Sequence, residues 1–173
     1  MLVENNAVQV EPEQLPHWGR VAFAAGCARR VQPLFAEAWP DAIHDRVAAV
    51  ERAIALAEQS AAEQQASGGL KEALIGALRV AGRALIRHHY PAIVEREEPA
   101  PADPQAALVA SFTAKVAEKA AEAAAAAPGD SGRPVREAYQ FALDAIRAAG
   151  RSELMEVLEA DLVAAARKAH RKQ

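Results

Sequence analysis

Between Ala120 and Ala127 every position but Glu122 is alanine, and no other feature limits the folding of this chain more. Alanine is the strongest helix former and has no side-chain rotamer to freeze, so the run is committed to helix. A methyl group buries little area, and burial is worth roughly 25 cal/mol per Å². Such a helix must lie very close to its neighbours to contribute to a core. The bias runs along the whole chain: 45 of the 173 residues are alanine, and they make up about half of the 51% counted as hydrophobic. A helical, thinly filled core is the expectation.

Prolines and glycines divide the sequence into segments. Residues 1–15 mix isolated Val with Glu, Asn and Gln and read as a loose N-terminal arm. From Pro16, the residues Trp18, Val21, Ala22, Ala25, Ala28, Val31 and Phe35 recur at helical spacing. Pro33 removes a backbone donor within that pattern, which predicts a kink or break near Arg30. A second helix is expected from Ile43 to Ala66, capped by Asp41, with Ile43, Val47, Val50, Ile54, Ala57 and Ala61 inward. A third is expected from Leu70 to His89 on a stripe of Leu70, Leu74, Leu78, Ala81 and Leu85. Gly76 and Gly82 lie inside it, each costing about 1 kcal/mol relative to Ala, a cost that close helix approach would offset.

Residues 91–104 hold Pro91, Pro99, Pro101 and Pro104 among Glu95, Glu97 and Glu98, and read as a linker. Asp103-Pro104 then signals a fourth helix, expected to reach Ala127 with Leu108, Phe112, Val116 and Ala120 inward. The turn from Pro128 to Gly132 introduces a fifth helix from Pro134 to Ala149, with Gly150 as its terminator, and Ser152 is placed to cap a sixth. The expected architecture is all-α: one domain over residues 16–173, built as a compact bundle or layer of about six helices joined by antiparallel hairpins, with the linker at 91–104.

Several function classes lose support at this stage. No apolar run is long enough for a membrane span, and the N-terminal residues lack the basic start and apolar stretch of a secretory signal, so a cytoplasmic location is expected. The single Cys27 forbids an intrachain disulfide, although Arg29 and Arg30 beside it would favour a lowered thiol pKa. With 20 basic and 23 acidic residues, a net charge of -3 argues against a dedicated nucleic-acid binder. The basic end from Arg167 to Lys172 keeps nucleic-acid binding as an alternative, although cations also stabilise any helix C-terminus. His88 and His89 fall at such an end.

The sharpest constellation is Asp41-Ala-Ile-His44-Asp45 together with His17. It offers an alternative reading as a metal-dependent His-Asp phosphohydrolase using His17, His44 and Asp45. Against it, His44 and Asp45 fall at an expected helix start, where acidic first-turn residues are favoured for their own sake. No phosphate loop, nucleophile elbow or zinc spacing is present, and no cofactor is expected. A core with few large residues leaves room for self-association.

One stretch carries a resemblance. The run Ala25-Gly26-Cys27-Ala28-Arg29-Arg30-Val31-Gln32-Pro33-Leu34-Phe35, followed by Trp39-Pro40-Asp41 and then Arg46, Val50, Ala53 and Ile54, resembles the N-terminal signature of all-helical bacterial immunity proteins of polymorphic toxin systems. It covers residues 21–58. In place of the Arg-Pro-Arg element of that signature stands His44-Asp45-Arg46. The resemblance implies an interaction protein that binds and blocks a toxin without catalysis of its own. The candidate contact residues are Glu95, Glu97 and Glu98 in the acidic linker, with Arg29 and Arg30 in the signature run.

Overall fold

Proline and glycine punctuation sets the helix ends. The computed structural model describes residues 10–90 and 99–171, in which a 3₁₀ turn at Pro12–Gln14 precedes six helices. These are α1 (His17–Ala38), α2 (His44–Glu63), α3 (Leu70–His89), α4 (Pro104–Ala125), α5 (Gly132–Ala148) and α6 (Glu153–His170). No strand occurs among the described residues. Asp103 caps α4 by accepting from the Ala106 amide at 2.7 Å, as its position before Pro104 demands. Gly150, at φ 66°, ends α5 in the left-handed conformation.

α4 is the central element, packed by α1, α2, α3 and α5. Its alanines are buried almost all round, with Ala110, Ala114, Ala117, Ala120 and Ala121 fully enclosed. Small side chains let four neighbours approach at once. Larger side chains fill the spaces between the other helices: Val21, Val31 and Leu34 from α1, Ile54 from α2, Ile146 from α5 and Leu158 from α6. Phe23 meets Tyr139 at 5.6 Å and Phe35 meets Trp39 at 6.0 Å, and the Trp39 indole donates to the Pro99 carbonyl at 2.9 Å. One charged cluster also sits in this region. Lys119 bridges Glu118 at 3.3 Å and Glu137 at 3.1 Å while also bonding Glu122. Burial draws the Lys119 ammonium toward the neutral form, but the hydrogen bond it donates to Glu122 and the charge of Glu118 more than reverse this, so its pKa lies above the usual range.

Four expectations need correction. α1 runs through Pro33 without a break, with the proline on an exposed position of the helix. Asp41 does not cap α2. The Trp39 carbonyl accepts from Ala42 in a turn that leaves Ile43 at the cap position, without a side-chain hydrogen bond. Ser152 likewise makes no side-chain cap, since its backbone is already helical. The expected loose arm is ordered over residues 10–15: Leu15 is buried and Glu13 pairs with Arg136 at 3.1 Å. Residues 1–9 lie outside the described residues.

The inward face of α3 is rotated from expectation, whereas α2 buries Val50, Ile54 and Ala57 as expected and departs only at its start. Ile43, Val47 and Leu78 are exposed, and α3 instead turns Leu70, Ala73, Ala77, Val80, Ala81 and Ala84 inward. A face of methyls fits the methyl surface of α4; the leucine stripe would hold the two backbones apart.

Candidate functional site

α1 builds a groove of about 990 Å³. Its core-facing residues anchor α1 to the bundle, while Trp18, Gly19, Ala22, Gly26 and Pro33 form the floor of the groove. From Trp18 to Pro33 the floor spans about 22 Å at 1.5 Å per residue. α2 supplies one wall through Glu58, Ala61 and Gln64; α6 supplies the other through Leu154, Asp161, Ala165 and Lys168. A Cβ at Gly26 would meet nothing within 4 Å, so the fold itself does not require glycine there. Its absence of side chain deepens the groove.

Ion pairs lock one end. Arg29 donates to Glu51 at 2.8 Å and to Glu58 at 2.7 Å, and Gln32 reinforces Glu51 at 3.0 Å. Across the groove, Arg30 reaches Asp161 at 3.0 Å. The hydrogen bonds that Arg29 donates to Glu58 and Glu51 raise the guanidinium pKa above its already high usual value, and Asp161 does the same for Arg30. Both arginines are still partly exposed. They brace α1 to its two walls while presenting charge at the rim, where the sequence alone had suggested partner contacts.

The other end is set by His17, Trp18 and Lys168. His17 Nδ1 and the Ser131 hydroxyl share a hydrogen bond of 2.8 Å, and Arg20 donates to the same hydroxyl at 3.3 Å and to the Pro128 carbonyl at 3.1 Å. Burial, with the nearby Arg20 charge, lowers the His17 pKa and favours the neutral ring. Ser131 is completely buried, so this pair ties α1 to the start of α5. Cys27 lies on the core side of α1, and its thiol pKa is raised by burial and by the Asp161 charge, contrary to the lowering expected from Arg29 and Arg30. Those arginines are already neutralised by Glu51, Glu58 and Asp161.

The remaining sequence candidates are scattered. His44 and Asp45 are almost fully exposed at the start of α2, 3.9 Å apart, and His17 is engaged with Ser131. Among the described residues no group of three or more metal-ligating side chains assembles. His88 Nδ1 hydrogen-bonds the Pro104 carbonyl at 2.7 Å, joining the end of α3 to the start of α4. Arg167, Lys168 and His170 form the last turn of α6, whereas Lys172 lies outside the described residues. Glu95, Glu97 and Glu98 also lie outside them. No described helix is long and apolar enough to cross a membrane. No protein-family model, curated protein or solved structure significantly matches this chain.

Sequence reasoning missed the groove as a unit. Its signal was present in Gly19, Ala22 and Gly26, three small residues at helical spacing on a stripe of α1 beside the one that carries Cys27 and Val31 into the core.

Proposed function

We propose that this chain is a non-catalytic interaction protein that receives a segment of a protein partner in the α1 groove, and that it acts as an immunity protein which binds and neutralises a cognate bacterial toxin. The observation that carries the interaction reading is the groove itself, apolar along its floor and charged at both ends, a combination typical of binding sites. The immunity reading rests on the run from Ala25 to Phe35. Within that run Ala25, Cys27, Ala28, Val31, Leu34 and Phe35 are core residues, while Gly26, Arg29, Arg30 and Pro33 line the groove. One short signature thus supplies both the anchor and the candidate contact surface.

Co-expression with each product of the neighbouring genes tests the proposal. The expected result is a 1:1 complex with one of them, protection of cells from that product, and at least tenfold weaker binding by Gly26→Leu, whose side chain fills the groove without altering the circular dichroism spectrum. Failure of every neighbour to bind, or full affinity in the filled variant, overturns it.

A further inference from the structure

α6 runs antiparallel to α1. Arg151, just before α6, reaches Glu37 at 3.3 Å, Asp161 accepts from Arg30 at 3.0 Å, and Ala166 and Ala169 lie beside Leu15 and Pro16. The last turn of α6 therefore comes to the Trp18 end of the groove, where Lys168 enters the lining. Arg167, Lys168 and Arg171 are exposed and border a shallow concavity that continues the groove, with Lys168 common to both.

These cations differ from those at the other end. Arg29 and Arg30 are taken up by Glu51, Glu58 and Asp161, whereas the side chains of Arg167, Lys168 and Arg171 form no ion pair or hydrogen bond among the described residues. Arg167 and Arg171 stand four residues apart and Lys168 and Arg171 three, the spacings at which like charges on a helix repel. A single cation at a helix C-terminus is favourable; three on one face lose that gain to mutual repulsion, and no described acid pairs with them. An anionic partner would reverse the sign of the arrangement.

The apolar floor decides which anion. A nucleic-acid strand needs cations along its whole track, and this groove offers them only beyond one end, since the arginines of the other are already neutralised. A peptide that is apolar over Trp18, Ala22 and Gly26 and acidic beyond them meets both parts of the surface. Building on the reading of the α1 groove as the partner site, we infer that the segment it receives is bipartite: apolar side chains along the floor, and a cluster of Asp or Glu at the end that emerges past Trp18, held there by Arg167, Lys168 and Arg171.

The test uses the full chain and random phage-displayed peptides of about 16 residues, long enough to cover the floor as a helix. Depletion on Gly26→Leu leaves only groove binders. These should carry Asp or Glu beside an apolar run, and selection on Lys168→Glu/Arg171→Glu should lose that enrichment. In a heteronuclear NMR titration a recovered peptide should shift the Trp18 indole signal and leave that of Trp39, which is buried and bonded to Pro99. Its affinity should fall as salt rises. Replacing its acids by Gln, or Lys168 and Arg171 of the chain by Glu, should each weaken binding at least tenfold; should the double variant misfold, Lys168→Glu alone serves. Groove binders without acidic enrichment, or full affinity in the charge-reversed chain, overturn the inference and leave the groove reading standing. An absence of any binder sensitive to Gly26→Leu overturns both. Tighter binding of single-stranded DNA than of every recovered peptide also overturns the inference.

Discussion

α3 and α4 offer each other the same methyl surface and treat the rest of their circumference in opposite ways. α4 is packed by four helices and buries most of its alanines, leaving an edge of Leu108, Phe112, Lys115 and Glu122 partly exposed. α3 spends its alanines on that one contact and carries Ile75, Leu78 and Ile86 on the outside. The difference shows that in an alanine-rich fold the helix orients by how closely its backbone can approach a partner. Bulk then goes wherever room remains, which on α3 is outward. On α3, large hydrophobic residues are thus a poor guide to the inward face.

Substitutions can break or sharpen this contrast. The largest effect is expected at Lys119, the cation that offsets Glu118, Glu122 and Glu137 on the enclosed side of the bundle. Lys119→Met leaves the buried Glu118 carboxylate without its counter-charge, and urea unfolding should show a loss of about 3 kcal/mol. Next comes bulk. Ala117→Leu in α4 should cost about 2 kcal/mol through overpacking, whereas Leu78→Ala on the outer face of α3 should change stability by less than about 0.5 kcal/mol. If the two alanine-leucine exchanges cost the same, the contrast between the helices fails. The smallest effect carries the opposite sign: Gly82→Ala has open space for its methyl and should stabilise the fold by up to about 1 kcal/mol, read as a higher urea midpoint.

Helix number and helix ends were legible because they depend on local chemistry. Pro104 after Asp103, Gly150 after Ala149 and the Ser67-Gly68-Gly69 break each act within a turn of their own position. α3 begins at Leu70 and ends at His89, the limits that Gly69 and Tyr90-Pro91 imply. Helix rotation was not legible, since it depends on what each face meets. Leu78 shares a helical period with Leu70 and Leu74, yet the face that α3 turns inward is made of Ala73, Ala77, Ala81 and Ala84 with Leu70 and Val80, and Leu78 falls outside it. The candidate site was legible in part. Arg29 and Arg30 do fall at the groove, but their ion partners are 22, 29 and 131 residues away, at Glu51, Glu58 and Asp161, and no local pattern announces such pairs. His17 misled for the same reason, as its partner Ser131 lies 114 residues further along the chain.

The position of Cys27 gives the molecule an internal clock. It follows Gly26 in sequence but is turned about 100° further round α1, toward the core, with 1% of its surface accessible and a thiol held protonated by burial. A small disulfide reagent can reach the sulfur only during excursions that lift α1 from its neighbours, and those excursions also reshape the groove. Where reclosing is faster than reaction, the ratio of the observed rate to that of an unhindered thiol is the equilibrium constant for opening. One native sulfur therefore reports, without a label, how much free energy a groove ligand adds to the closed state.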